Sequence, residues 1–192
     1  MANATHDSSN QKQLKVLVPL AQGCEELEAV TITDLLTRAG MNIVTVGLDK
    51  QPVIASRGMV LMPQTTIDTV MDEDFDLIVL PGGLPGADHL QNDVRIQSKL
   101  KSMAADNKTI AAICAAPKAL GSAGVLDGKK VPCYPGALDE YPQLNVRSTA
   151  IEIDGQIVTS RGPGTAMDFT LSLIELLEGK IKRDEIERQL VR

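Results

Sequence analysis

The chain has 192 residues and a formal net charge of -6; 43% of its residues are hydrophobic, 23% are charged and 2% are aromatic. This composition is that of one ordinary globular domain. It disfavours nucleic-acid binding, because an acidic chain with so few aromatic side chains offers neither a basic surface nor stacking platforms for bases.

The beginning of the chain differs from the rest. Residues 1–13 are polar and predict a disordered tail, followed by a single domain at 14–192. The longest apolar runs, at 16–21 and 77–81, are too short to cross a membrane, so no membrane association is expected.

Cysteine and histidine are scarce. Cys24, Cys114 and Cys133 form no CxxC pair and cannot all be paired in disulfides, which favours free thiols in a reducing, cytoplasmic setting. His6 and His89 have no neighbouring ligands at metal-binding spacing. We therefore expect neither a metal site nor another cofactor.

Short apolar segments alternate with amphipathic ones along the domain. Strands are predicted at 14–21, 42–48, 75–80 and 109–113, irregular or antiparallel strand pieces at 52–62, and a hairpin at 146–153 and 156–160 that turns at Asp154-Gly155. Helices are predicted at 25–39, 92–105, 115–123, 165–177 and 181–190. The alternation predicts an α/β fold with a mostly parallel sheet covered on both faces.

Sites in such folds lie outside the carboxyl ends of the strands. Three predicted loops meet there: 22–28 with its carboxylates, 81–88 with its glycines, and the turn at Cys114. A thiol at a helix N-terminus faces unpaired N–H groups and the positive end of the helix dipole, which favour the thiolate. Cys114 is therefore predicted to be either a reactive thiol or a small core residue, which is what most free cysteines are.

Other chemistry-bearing residues near these loops have plainer interpretations. Glu25 and Glu26 fit solvated glutamates of a first helical turn. Cys24 fits a small packed residue, because the residues after it are acidic and would not lower a thiol pKa. Nothing in the sequence decides whether Cys133 is reactive.

Four stretches carry a family resemblance. They are Gly23-Cys24-Glu25-Glu26-Leu27-Glu28, Leu80-Pro81-Gly82-Gly83, Ala111-Ala112-Ile113-Cys114-Ala115-Ala116-Pro117 and Thr159-Ser160-Arg161-Gly162-Pro163-Gly164-Thr165. With these four stretches in this order, the chain resembles the ThiJ/PfpI superfamily over about residues 14–190. Within that superfamily it resembles the branch of the DJ-1 and bacterial YajL-type proteins. The resemblance implies a flavodoxin-like, three-layer α/β/α sandwich and a homodimer with sites near the subunit interface.

The same resemblance implies roles for individual residues. Cys114 matches the nucleophile-elbow cysteine and Glu28 the glutamate that hydrogen-bonds it. Gly83 and Ala115 match the residues whose backbone N–H groups form an oxyanion pocket. Arg57 and Arg161 match residues that line the site. Tyr134 also matches a residue that lines it, at a position where the animal members have a histidine. Arg161 could instead bind a carboxylate of a partner chain, and Met59 matches a dimer contact but could equally pack in the core.

The implied activity is that of a cofactor-independent glyoxalase or deglycase. Its substrates would be methylglyoxal, glyoxal or their adducts with thiols and amines, in defence against carbonyl and oxidative stress. The alternative is a redox-sensing stress protein or chaperone in which Cys114 is oxidised to the sulfinate without turnover. Peptidase activity is disfavoured, because Ala115 stands where the protease and amidase branches have a histidine. Tyr134 is a poor base at neutral pH, so proton transfer falls to Glu28, whose pKa burial should raise.

Overall fold

The computed structural model describes residues 13–192. Its strands are β1 (Lys15–Leu20), β2 (Asn42–Gly47), β3 (Val53–Ile54), β4 (Val60–Leu61), β5 (Thr65–Thr66), β6 (Leu77–Leu80), β7 (Thr109–Ile113), β8 (Lys130–Pro132), β9 (Asn145–Arg147), β10 (Ile151–Asp154) and β11 (Ile157–Ser160). Its α-helices are α1 (Glu26–Arg38), α2 (Gly86–Asn92), α3 (Val94–Ala105), α4 (Pro117–Ser122), α5 (Ala166–Glu178) and α6 (Lys180–Gln189), with 3₁₀ turns at Ile67–Val70 and Pro163–Thr165.

Seven of these strands form one sheet in the order β10-β11-β7-β6-β1-β2-β5. All neighbours are parallel except β10 and β11, which form the antiparallel hairpin predicted around Asp154-Gly155. The strands β1, β6 and β7 at its centre are almost fully buried, as expected for a parallel sheet covered on both faces. The predicted α/β class, a flavodoxin-like sandwich with a mostly parallel sheet, is confirmed.

The alternation of side chains along β1 divides the core into two layers. Val16 and Val18 face the layer that holds α1 and α5, where Phe169 is fully buried. Leu17 faces the opposite layer, which holds Leu100 of α3 and the buried residues of α4. Because successive side chains in a strand point to opposite faces, each central strand contributes to both layers.

The buried face of helix α1 differs from the predicted one. Its spacing of Leu27, Val30, Leu35 and Leu36 suggests one inward stripe, but only the last two are buried. Leu27 and Val30 are about half exposed, at 50% and 44%. The inward face at the start of the helix is instead occupied by Glu28, which is fully buried.

Several boundaries were predicted wrongly. Residues 146–153 are not one strand: β9 pairs with β8, and β10 pairs with β11. The predicted helix at 92–105 begins at Val94, because the Asp93 side chain accepts hydrogen bonds from Arg95 N and Ile96 N and caps α3 there. The helix after Cys114 begins only at Pro117.

The predicted tail lies almost entirely outside the described residues. Gln13, its last residue, donates a hydrogen bond from Nε2 to Gly40 O at 2.7 Å. Within residues 13–192, no helix is long and apolar enough to span a membrane.

Candidate active site

The turn at Cys114 has a strained backbone. Cys114 has a φ of 65°, in the left-handed region that costs energy for a residue with a side chain. Two hydrogen bonds hold it there: Cys114 N donates to Ser160 O at 3.0 Å, and Tyr134 N donates to Cys114 O at 2.8 Å. Cys114 as a whole is 6% exposed, so its thiol lies at the bottom of a pocket rather than on the surface.

The glycine loop after β6 approaches this turn closely. A Cβ at Gly82 would lie 2.6 Å from Cys114 Cβ and 2.8 Å from Ile113 O, which no side chain could tolerate. Gly83 has a φ of 87°, and a Cβ there would lie 2.4 Å from Glu25 N. Glycine at both positions therefore lets the loop backbone reach the sulfur atom.

Glu28 enters the site from the first turn of α1. The side chain of Glu25 caps the helix by accepting a hydrogen bond from Glu28 N at 3.0 Å. Gly82 N donates to Glu28 Oε2 at 2.7 Å. Glu28 Oε1 is buried and has no conventional hydrogen-bond donor among residues 13–192, which leaves this oxygen to interact with the thiol of Cys114.

Burial raises the pKa of both acidic groups. Burial raises the pKa of Glu28 to about 7, although the Gly82 N–H and the Cys114 thiol act in the opposite direction. Burial, and next the Glu28 carboxylate, raise the pKa of the Cys114 thiol to about 12, against the N–H groups of Gly83 and Ala115. The thiolate is therefore favoured only when Glu28 holds a proton and donates it to sulfur.

This corrects the expectation of a thiolate stabilised by the helix dipole. α4 starts at Pro117, three residues after Cys114, and has only six residues. The dipole field is confined to the first turn of a helix, so it contributes little at the sulfur. The groups that lower the thiol pKa are instead the backbone N–H groups of Gly83 and Ala115.

A pocket of about 240 Å³ opens above the thiol. Cys114, Gly83 and Ala115 form its floor, and Arg57 and Tyr134 are among the residues that line it. Arg161 does not line this pocket; it lines a neighbouring cavity of about 390 Å³. Tyr134 lines both and lies between them.

The other two cysteines differ in their surroundings. Cys24 is fully buried in the core, and burial raises the pKa of its thiol to about 11, in accord with the packed interpretation. Cys133 is 6% exposed, and burial raises its pKa as well, but it lines a third cavity. Both are free thiols.

Two features of the site were missed by sequence reasoning. The sequence places Gly82 in a glycine loop at the site but does not indicate that its N–H holds the Glu28 carboxylate. Glu26 was read as a solvated glutamate, but its carboxylate accepts hydrogen bonds from Ser56 Oγ at 3.0 Å and from Arg57 N at 2.8 Å. It therefore fixes the turn that carries Arg57 beside the pocket, and no local pattern signals a partner 31 positions away.

Residues 13–192 contain no group of three or more His, Cys, Asp or Glu side chains that could hold a metal ion. The polar groups around the thiol are those of the loop backbone and of Glu25, Glu28, Ser56, Arg57 and Tyr134. This arrangement can add the thiolate to an electrophilic carbon and hold a developing negative charge with backbone donors.

Comparison with known proteins shows which family this chain matches. Residues 14–176 match the model of the DJ-1/PfpI family. Protein DJ-1 homolog B of Arabidopsis thaliana is 41% identical over 98% of this chain, which spans only 43% of that relative's length. The glutathione-independent glyoxalase DJR-1.2 of Caenorhabditis elegans is 31% identical over 94% of this chain and 96% of its own.

A solved structure agrees in fold. Toxoplasma gondii DJ-1, described as oxidized, superposes with a TM-score of 0.89 and 39% identity over 93% of this chain and 98% of its own. The matched region contains the β1, β6 and β7 loops that form the candidate site. The finer placement with the bacterial YajL-type proteins stays a prediction. The chain belongs to the DJ-1/PfpI family.

Proposed function

We propose that this protein is a cofactor-independent glyoxalase or deglycase that acts on methylglyoxal, glyoxal or their thiol and amine adducts. The observation that carries the proposal is the buried Cys114–Glu28 pair, with the N–H groups of Gly83 and Ala115 directed at the same sulfur. The relative named as a glutathione-independent glyoxalase supports the same reaction class.

The first step joins the thiol to the aldehyde. The Glu28 carboxylate takes the proton of the Cys114 thiol, and the resulting thiolate attacks the aldehyde carbon of the 2-oxoaldehyde. The aldehyde oxygen becomes an alkoxide, which accepts hydrogen bonds from Gly83 N and Ala115 N and then takes the proton of Glu28 to give a hemithioacetal. Glu28 is left as a carboxylate beside the former aldehyde carbon.

The second step uses that carboxylate as a base. Glu28 removes the proton from the former aldehyde carbon and returns it to the neighbouring carbon. The hydroxyl proton of the hemithioacetal passes to the neighbouring carbonyl oxygen, and the hemithioacetal becomes a thioester. Water then attacks the thioester carbonyl, the Cys114 thiol leaves, and lactate or glycolate is released. A glutamate with a pKa of about 7 suits both directions of transfer, because it exists in both forms near neutral pH.

A redox function is the second candidate at this site. Successive oxidation of Cys114 would produce a sulfinate whose oxygens take up the N–H groups of Gly83 and Ala115 and a proton of Glu28. The solved structure of the Toxoplasma relative is described as oxidized, and this supports oxidation as a second candidate. In this alternative the protein would act as a stress sensor or chaperone in the cytoplasm, without turnover.

Lactate formation from methylglyoxal tests the first function. We expect turnover by the wild-type protein, none above background with Cys114→Ala, and a loss of at least about a hundredfold with Glu28→Gln, the scale of a lost general base. Cys133→Ala is the matched control, since it removes a thiol outside the Cys114 pocket. Equal lactate from wild type and Cys114→Ala would refute the enzyme. Mass spectrometry after mild peroxide then tests the sensor, with two added oxygens expected on Cys114 first.

A further inference from the structure

Three cavities lie in a row along one side of the site. The Cys114 pocket shares Tyr134 and Pro163 with the neighbouring cavity of about 390 Å³, called here the middle cavity. The middle cavity shares Pro135 and Arg161 with a further one of about 450 Å³, called here the outer cavity. A molecule bound at the thiol can therefore extend past the Tyr134 ring toward Arg161.

Each cavity is lined by one or two arginines that lack an acidic partner. Arg57 lines the Cys114 pocket, Arg161 lines the middle and outer cavities, and Arg147 lines the outer one. Within residues 13–192 none of the three forms an ion pair with a carboxylate. Four of the five other arginines in the same range form such pairs, namely Arg38, Arg95, Arg183 and Arg192. The fifth, Arg188, donates instead to the backbone oxygen of Asp184.

The outer cavity brings two guanidinium groups to one space. Arg161 Nη1 donates to Ser148 O at 3.0 Å, which fixes the side chain while leaving its remaining N–H groups available. Arg161 N donates to Ala150 O at 3.0 Å, so the backbone is fixed too. Asp139 lines the cavity and contributes one negative charge against two positive ones, and the raised pKa of Cys133 keeps that thiol neutral at neutral pH.

We propose that Arg161 and Arg147 form an anion subsite for the tail of the substrate. The class of substrate is then a 2-oxoaldehyde, or an adduct of one, that carries a carboxylate several bonds from its reactive carbon. The aldehyde carbon lies at Cys114, the chain passes Tyr134, and the carboxylate binds between the two guanidinium groups, whose planar N–H pairs match its geometry. The inference rests on the proposed function and narrows its substrates.

Matched substrates test the subsite. The probes are 2-oxoaldehydes with a terminal carboxylate, from 4,5-dioxopentanoate to longer chains, each beside its methyl ester. We expect wild-type kcat/KM to favour the acid over the ester at one chain length. Arg147→Gln should reduce that preference about tenfold, the loss of one charge-assisted contact, through KM rather than kcat. The rate on the esters and on methylglyoxal should not change.

Arg188→Gln is the control, because it removes the same charge from an exposed position of α6 that lines none of the three cavities. An acid-to-ester preference that is the same in wild type and Arg147→Gln would overturn the proposal. An equal fall for acid and ester in Arg147→Gln would overturn it as well, since that pattern indicates a structural effect.

A binding measurement separates this inference from the proposed activity. The Cys114→Ala protein, which cannot turn over, is titrated with 4-oxopentanoate and with inorganic phosphate while the arginine Nε–H signals are followed by NMR. Shifts of the Arg147 and Arg161 signals, absent with Arg147→Gln, support the subsite even where wild-type protein makes no lactate. Phosphate that shifts these signals without competing with 4-oxopentanoate would overturn the assignment to a substrate tail.

Discussion

The carboxyl of Glu28 and the thiol of Cys114 are two acidic groups buried next to each other. Their protons therefore do not leave independently. The first proton is lost from Glu28, which has the lower pKa, and the carboxylate then shares the remaining proton of the Cys114 thiol. Loss of that second proton is opposed both by burial and by the negative charge already present. The reactive thiolate therefore forms when the thiol proton passes to the Glu28 carboxylate rather than to water.

Replacement of Glu28 tests this sharing. In Glu28→Leu the carboxylate that raises the thiol pKa is gone while burial remains, so the pH midpoint of Cys114 alkylation by iodoacetamide should move downward. Glu28→Gln removes the same charge and also places an amide donor beside the sulfur, so it should lower the midpoint further. Mass spectrometry of the labelled Cys114 peptide gives the profile. The same midpoint in wild type and Glu28→Leu would remove Glu28 from the site.

The raised pKa of Glu28 also makes stability depend on pH. The folded value is about 7 against 4.5 for the free side chain, so the native state holds more protons than the unfolded chain between these values. The stabilisation from this group is complete below the unfolded pKa and is lost as pH rises through about 7. The full shift corresponds to about 3 kcal/mol.

Urea unfolding of wild type and Glu28→Gln measures this contribution. Relative to the variant, the wild type should be more stable at pH 5 than at pH 8 by up to about 3 kcal/mol. The comparison with Glu28→Gln cancels the surface carboxylates, such as Asp184, whose lowered pKa gives the opposite trend at low pH. A difference between the two proteins that is constant over pH 5 to 8 would contradict a raised Glu28 pKa.

At the scale of elements, the site depends on how closely the loop after β6 packs against the turn after β7. Gly82→Ala should disturb both at once, because the added Cβ would overlap Cys114 Cβ and Ile113 O. We expect a loss of about 1–3 kcal/mol in unfolding free energy, typical of overpacking, with loss of Cys114-dependent turnover. Gly164→Ala, where a Cβ meets open space, should keep its unfolding midpoint.

The elements that the sequence predicts best are the buried central strands. β1, β6 and β7 are continuous apolar runs, and that pattern is sufficient to place them. β5 and β8 have two and three residues, too few for any periodic signal. Each residue of β8 pairs with a residue of β9 that lies 15 positions later, so the strand depends on contacts that local sequence does not encode.

The site shows the same division between local and distant determinants. Cys114 and its turn are readable from the strand before it and the small residues after it. The burial of Glu28 is not, because the pattern of α1 favours Leu27 and Val30 as inward residues. Arg161 and Tyr134 lie where the family resemblance places them along the chain, but only the three-dimensional packing shows that Tyr134 lines the Cys114 pocket and Arg161 does not.

At the scale of the whole molecule, one apolar surface remains uncovered in the single chain. It combines the outer face of α1 with the β3–β4 hairpin and the loop after β6. Its members are about half exposed or more, namely Leu27, Val30, Ile54, Met59, Val60, Met62 and Leu84. The exposure of Met59 rules out the core interpretation, and an apolar surface of this extent is characteristic of protein–protein contact.

We expect this surface to be the interface of a homodimer. Val30→Glu should place a charge within it and convert the dimer to a monomer in sedimentation experiments. Val94→Glu is the control, because Val94 is also exposed but lies on α3, which packs against the opposite layer of the core. If both variants dimerise with equal affinity, or if the wild-type protein is a monomer, the surface is not a homodimer interface and binds another partner.

The hydrogen bonds that hold the Cys114 backbone have a consequence for biosynthesis. Their partners are Tyr134 N and Ser160 O, which follow Cys114 by 20 and 46 positions. A nascent chain that has emerged only as far as the cysteine has neither partner, so its backbone has no reason to adopt a φ of 65°. The thiol therefore acquires its reactive geometry only after β11 has been made and paired, and unfinished chains carry an ordinary cysteine.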